Sequence, residues 1–143
     1  MFIGRYYHRL EDKGRISLPK IFRSQTQKWI ITRGLDGGLF LFKETDFAEQ
    51  VTGRLPRTLT KKADRDWRRL MVNSAAVVIP DRLGRVMVPD YLIQLANLTK
   101  EVVVVGSQSY LEIWDRQRYH QYLAQLDSRA ETIAESLIDD QTH

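Results

Sequence analysis

The chain contains itself twice. Glu11-Asp12-Lys13-Gly14-Arg15-Ile16-Ser17-Leu18-Pro19 returns 70 residues later as Asp81-Arg82-Leu83-Gly84-Arg85-Val86-Met87-Val88-Pro89. Both copies read acid-x-x-Gly-Arg-apolar-x-apolar-Pro. At an offset of 72, residues 28–34 lie over 100–106, 39–42 over 111–114, and Phe47 over Tyr119. Order and chemistry agree over roughly fifty residues per copy, so chance is a poor explanation.

Each copy reads as strand, turn, strand, short helix, strand, turn, strand, helix. Residues 5–10 and 75–79 have the β-branched and aromatic content of strands. Gly14 and Gly84 supply the positive φ of a tight reversal, after which 15–18 and 85–88 resume an extended run. Pro19 and Pro89 suit the first turn of short helices. Strands are predicted at 29–33 and 102–105 with hairpin partners at 39–42 and 111–114, and Asp115 is a good N-cap for a helix from Arg116. Between the copies, Leu59, Ala63, Trp67, Leu70 and Met71 form the apolar stripe of a linking helix, opposite Lys61, Lys62, Arg65, Arg68 and Arg69. A second stripe, Tyr119, Tyr122, Leu123, Leu126, Ala130, Ile133, Ala134 and Leu137, is long for so small a fold and seeks a partner surface. The tail at 139–143 reads as polar and frayed.

The expected division is a first repeat at 1–53, a linking helix at 54–74, a second repeat at 75–123, and a C-terminal helix and tail at 124–143. Seventy residues of short strands bury too little surface and leave sheet edges open. Pairing the copies about a pseudo-two-fold axis, with strands interleaved, answers both problems and predicts one α+β unit.

The formal net charge is +4 and unevenly spread. Residues 1–70 hold 16 Lys+Arg against 8 Asp+Glu, and residues 71–143 hold 6 against 10. A basic front and an acidic rear fit a protein with one anion-binding face. With no cysteine, disulfides, thiolate metal sites and cysteine nucleophiles are excluded. His8, His120 and His143 lack ligand spacing, no serine sits in Gly-x-Ser-x-Gly, and 34–38 reads as a hairpin turn without the Gly-Lys-Ser/Thr of a phosphate loop. Nothing near Met1 resembles a signal peptide and no apolar run is long enough to span a bilayer. A soluble cytoplasmic protein is expected, with no enzymatic activity, metal, cofactor or small-molecule substrate.

The paired turns break the bland pattern. A tight reversal does not need an arginine after its glycine, twice. Lys13 and Arg15 flank Gly14, Arg82 and Arg85 flank Gly84, and Arg5, His8, Arg9, Lys20 and Arg23 surround the first turn in sequence. An exposed β-hairpin is narrow enough for the major groove, and arginine can take guanine O6 and N7 together. Neighbouring lysines and arginines would contact phosphates. Glu11 and Asp81 are expected to hold the arginine or cap the turn, with Gly14 and Gly84 making the reversal. For a single copy, exposed ion pairs Glu11–Arg15 and Asp81–Arg85 of little energetic worth are the simpler account; repetition in register on a basic front favours DNA contact. The expected DNA-binding set is Arg15, Arg85, Lys13, Arg82, Arg5 and Arg9. The rivals are RNA binding, against which the absence of an aromatic-rich recognition strand counts, and a non-catalytic interaction or assembly module with a basic face.

Met1-Phe2-Ile3-Gly4, Lys13-Gly14-Arg15-Ile16-Ser17-Leu18-Pro19, Arg33-Gly34-Leu35-Asp36-Gly37, Asp81-x-x-Gly84-Arg85, Leu98-Thr99-Lys100-Glu101-Val102-Val103 and Glu112-Ile113-Trp114-Asp115 together resemble the bacterial MraZ family. The resemblance runs in order from the N-terminus to Asp115. It implies two AbrB-like, double-split β-α-β (swapped-hairpin) repeats forming one β-barrel unit with flanking helices. It also implies a ring-shaped homo-oligomer whose partner is double-stranded DNA. Its role would be regulation of the division and cell-wall gene cluster through short G-rich direct repeats, in the cytoplasm and at the nucleoid. The family's Asp-x-x-x-Arg signature falls on Asp81 and Arg85. In the first copy Glu11 stands where Asp is usual, keeping the charge but changing its reach to Arg15.

Overall fold

A computed structural model describes residues 1–53 and 59–141; the start of the expected linking helix at 54–58, and His143, lie outside the described residues. The first half runs β1 (Arg5–Arg9), a 3-10 turn (Asp12–Gly14), β2 (Arg15–Ser17), α1 (Lys20–Arg23), β3 (Trp29–Arg33), β4 (Leu39–Lys43) and α2 (Glu44–Thr52). After α3 (Lys62–Met71) come β5 (Ala76–Val78), β6 (Arg85–Met87), α4 (Asp90–Leu95), β7 (Glu101–Gly106), β8 (Leu111–Asp115), α5 (Arg116–Asp127) and α6 (Ala130–Gln141).

The halves interleave. Six strands form one antiparallel sheet in the order β1-β7-β8-β4-β3-β5, and β2 pairs with β6 as a separate two-stranded ribbon. Exchanging β1 with β5, β2 with β6, β3 with β7 and β4 with β8 returns the same order read backwards, so a pseudo-two-fold axis passes between β4 and β8. Each half lends its first strand to the other half's hairpin: Tyr6 lies opposite Val104, and Val78 opposite Trp29. The closed barrel implied by the resemblance is not formed by these ladders. The sheet is open, with β1 and β5 as edges, and β2 and β6, three residues each, pair as strands with one another and not with the sheet.

Strand alternation explains where the core sits. Ile16, Leu18, Val86 and Val88 of the ribbon segments face Ile31, Leu41, Val102, Val104, Leu111 and Ile113 of the sheet, with Phe22 and Leu92 of α1 and α4 between them. Burying such side chains stabilises by about 1.5–3 kcal/mol each. Phe2 closes one end, meeting Phe22 edge-on at 5.2 Å, and its backbone exchanges two 2.8 Å hydrogen bonds with Gln108. Neither half keeps this core without the other.

The opposite sheet face carries a smaller cluster of Phe42, Val51 and Met71 with Phe40, Phe47, Trp67 and Tyr110. Here α3 differs from its expected stripe. It buries Asp64 and Met71 and half-buries Trp67, while Leu59, Ala63 and Leu70 remain outside. Two hydrogen bonds fix its rotation: Trp67 Nε1 donates to the Val51 carbonyl at 2.6 Å, and Thr32 Oγ1 donates to the Met71 carbonyl at 2.6 Å. The C-terminal stripe is also split between two helices, α5 and α6. Ser128 Oγ donates to the Gln125 carbonyl at 2.8 Å, a side-chain bond of the kind that competes with the helical ladder. Asp115 caps α5 as expected, accepting from the Arg118 N–H at 3.2 Å. Among the described residues no helix is long and apolar enough to cross a membrane.

Candidate nucleic-acid interface

With Ile16 and Val86 turned inward, Arg15, Ser17, Arg85 and Met87 occupy the outer face of the β2–β6 ribbon. Arg15 lies opposite Met87 and Ser17 opposite Arg85. The two arginines are therefore diagonal neighbours, a relation that places residues about 7–8 Å apart. Sequence suggested two separate turns; cross-pairing makes them the two ends of one small surface.

The second turn is built around Asp81. Its Oδ1 accepts from the Leu83 N–H at 2.9 Å and the Arg85 N–H at 3.0 Å, while Oδ2 accepts from Arg85 Nε at 3.0 Å. The Arg85 backbone N–H, with help from its side chain and the Leu83 N–H, holds the Asp81 carboxyl below its usual range. The guanidinium is thus tied at its Nε, with its side chain 22% exposed.

The first turn has the same backbone frame but not the same side-chain bonds. Glu11 N–H donates to the Arg15 carbonyl at 2.8 Å, and Gly14 N–H to the Glu11 carbonyl at 3.1 Å. The Glu11 carboxylate does not hold Arg15, against expectation. One extra methylene carries it past the turn's N–H groups, and its Oε1 lies 3.6 Å from Arg85 Nη1 in the other half. Two carboxylates therefore share Arg85, and among the described residues no carboxylate pairs with Arg15. Lys13, without a capping side chain ahead of it, sits in left-handed backbone at φ 64°, next to Gly14 at φ 73°. Lys13 and Arg82 are both exposed on their turns.

Arg5 and Arg9 do not join this surface. On edge strand β1, Arg5, Tyr7 and Arg9 face α5: the Arg5 guanidinium lies 5.6 Å from the Tyr119 ring centre, and Tyr7 hydrogen-bonds His120 at 2.9 Å. That is the sheet face away from the ribbon. The α3 cations lie on that far face too, where Asp66 pairs with both Lys62 and Arg69. Burial lowers the His8 pKa, which favours the neutral imidazole.

Arg23 moves the other way. Because the ribbon is cross-paired, each turn is packed by the other half's helix: Leu18 N–H donates to the Gly84 carbonyl at 3.0 Å, and Val88 N–H to the Gly14 carbonyl at 2.8 Å. Arg23 therefore reaches the second turn, where Nη1 donates to the Leu83 carbonyl at 3.2 Å. Ser17 and Met87 were missed as members of the face. Their signal was the two-residue strand period counted from Arg15 and Arg85, but only the pairing register shows that the four residues converge.

A family model described as "MraZ protein, putative antitoxin-like" matches the chain twice, over residues 1–70 and 71–141. A protein of Moorella thermoacetica named "Transcriptional regulator MraZ" is 36% identical over 140 residues, 97% of this chain and 98% of that protein. A protein of Tropheryma whipplei with the same name is 36% identical over 138 residues, 96% of this chain and 97% of that one. Two tandem matches that together span almost every residue, on a molecule whose halves are related by a pseudo-two-fold axis, place the chain in the MraZ family.

Proposed function

We propose that this chain is a non-enzymatic transcriptional regulator that reads duplex DNA with the outer face of its β2–β6 ribbon. The observation that carries the reading is the convergence of Arg15 and Arg85 on one solvent-facing ribbon, beside Ser17 and Met87. A two-stranded ribbon fits the major groove, arginine matches guanine O6 and N7, serine hydrogen-bonds bases, and an apolar side chain can meet a thymine methyl. Arg15 is the chief base reader in this account, because its guanidinium is not already committed to a carboxylate. Lys13 and Arg82 contact the flanking backbone. Arg5 and Arg9, which face α5, act in binding only through longer-range attraction.

In this reading the interleaved halves are two AbrB-like, swapped-hairpin repeats, with units 1–53 and 75–123 joined by the segment 54–74 and followed by 124–143. The protein assembles as a ring of identical chains on short G-rich direct repeats upstream of the division and cell-wall genes, in the cytoplasm at the nucleoid. Free edges at β1 and β5, with Val77 and Ile79 exposed beside one, and the uncovered Leu137 and Ile138 of α6 support self-assembly. A ring makes physical sense because each Arg–guanine contact discriminates by only about 1–3 kcal/mol. Several ribbons on repeated boxes multiply that through effective concentration.

The strand aromatics do not favour the RNA alternative. Tyr6 packs on Phe22, and Phe40 and Phe42 pack on Tyr110. Tyr7 is exposed, against the expectation that it joins the core, but its ring is already stacked on His120 and faced by the Arg116 guanidinium.

Selection of bound fragments from random duplex, with the particle mass measured in parallel, tests the proposal. It predicts enrichment of a short G-containing motif recurring at regular spacing, bound by a multimer. Recovery of unenriched sequence at physiological salt would overturn it.

A further inference from the structure

The pseudo-two-fold axis relates backbones but not charges. Lys20 and Arg23 of α1 correspond to Asp90 and Ile93 of α4. At the second turn a β-carbon on Gly84 would collide with the Arg23 guanidinium, whereas at the first turn a β-carbon on Gly14 would come within 2.9 Å of Ile93 Cδ1. The two residues fill equivalent places, one cationic and one apolar. Lys20, Arg23 and Arg82 line a cleft of about 460 Å³ beside the second turn, together with the hydroxyl-bearing Ser24 and Thr26. Asp81 also borders the cleft, but its carboxylate is bonded to Arg85 and the turn N–H groups.

We infer that this cleft seats a backbone phosphate of the bound duplex, so that each protomer lies on DNA in one direction only. The inference rests on the duplex-binding reading above. Three cations at one end of the ribbon match a phosphodiester, while the Ser24 and Thr26 hydroxyls already donate to the Ile21 and Lys28 carbonyls. At the other end the corresponding helix presents Asp90, which repels one. Arg15, the ribbon arginine that no described carboxylate pairs with, lies toward that opposite end. A base reader at one end and a phosphate seat at the other make an otherwise two-fold surface polar. A protomer of this kind favours an asymmetric site over a palindromic one, since reversing it would set Asp90 against the backbone.

The test uses the full-length protein and a duplex of G-rich direct repeats carrying single uncharged methylphosphonate linkages, moved one at a time along each strand. Wild-type affinity should fall further for linkages on one flank of each box than at the mirror-related positions, where Lys13 is the remaining cation. In Lys20→Ala/Arg23→Ile that one-sidedness should vanish, and the slope of log affinity against log salt should fall by about 1, the contribution of the one seated phosphate. Base preference should be kept. Isoleucine is the residue already tolerated at the equivalent position, and Arg23→Lys, which keeps the charge, should retain the one-sided pattern. A symmetric map in the wild type, or an unchanged map and slope in the double variant, would overturn the inference while leaving duplex recognition intact. Saturation of the wild type alone by inorganic phosphate at constant ionic strength, with a symmetric linkage map, would identify a small-anion site instead and also overturn it. Failure of the wild type to bind any duplex would remove the functional reading itself.

Discussion

At the residue scale the two copies of one motif have taken different roles through a single methylene. Asp81 is short enough to cap its own turn and grip Arg85; Glu11 overshoots and adds its charge to the same guanidinium. Replacing Glu11 by Asp should let the first turn acquire the bonds of the second, each worth about 1 kcal/mol net. Thermal unfolding should move upward, and charge-assisted restraint should pass to Arg15. An unchanged midpoint would contradict this account of the turn. Asp81 also gives a pH signature. Its pKa is depressed below the ordinary 3.8, chiefly by the Arg85 N–H. A depressed carboxyl contributes stability that is complete above the unfolded value and is lost as pH falls through the folded one. The difference in melting temperature between wild type and Asp81→Asn should therefore be constant above the ordinary value and shrink in stronger acid. A difference that persists undiminished at about pH 2 would count against the ion pair.

At the scale of elements, cross-pairing decides what each glycine can tolerate. A β-carbon on Gly14 would fall 2.7 Å from the Val88 carbonyl oxygen, a backbone atom pinned by the ribbon, whereas on Gly84 it would meet only the end of the flexible Arg23 side chain. Both positions have left-handed φ, which costs a residue with a β-carbon about 1–2 kcal/mol. Gly14→Ala should lower the unfolding midpoint more than Gly84→Ala, while Gly84→Ala should displace Arg23 and weaken DNA binding. Equal loss of stability would show that the Val88 contact yields more readily than the geometry allows. The same pairing explains what was legible in sequence. Strand, turn and short-helix order could be read locally from Gly14, Pro19 and their counterparts, because period and turn chemistry are local properties. The partner of each strand is a long-range property. That Arg23 belongs to the second turn, that Arg5 and Arg9 face α5, and that Glu11 reaches Arg85 follow from it and were not readable. The rotation of α3 was misjudged for a related reason: Asp64 lies on its buried face, a placement that hydropathy counting discards.

At the scale of the whole molecule, one sheet separates two surfaces of different character. On the ribbon side lie the paired arginines and the basic cleft; on the far side lie α2, α3 and α5, with the uncovered stripe of α6 beyond. Under the proposed function, this separation would let a single chain present DNA contacts in one direction and self-association surfaces in others, as a multivalent reader of repeated boxes requires. The measurement that bears most directly on this arrangement is the affinity of Arg15→Ala for a duplex of G-rich repeats and for a scrambled duplex of equal length and charge, at one fixed salt concentration. The account predicts that the ratio of the two affinities collapses towards one while the particle keeps its mass, because base reading is lost and phosphate attraction is kept. Equal weakening on both duplexes, or an undiminished ratio, would contradict it.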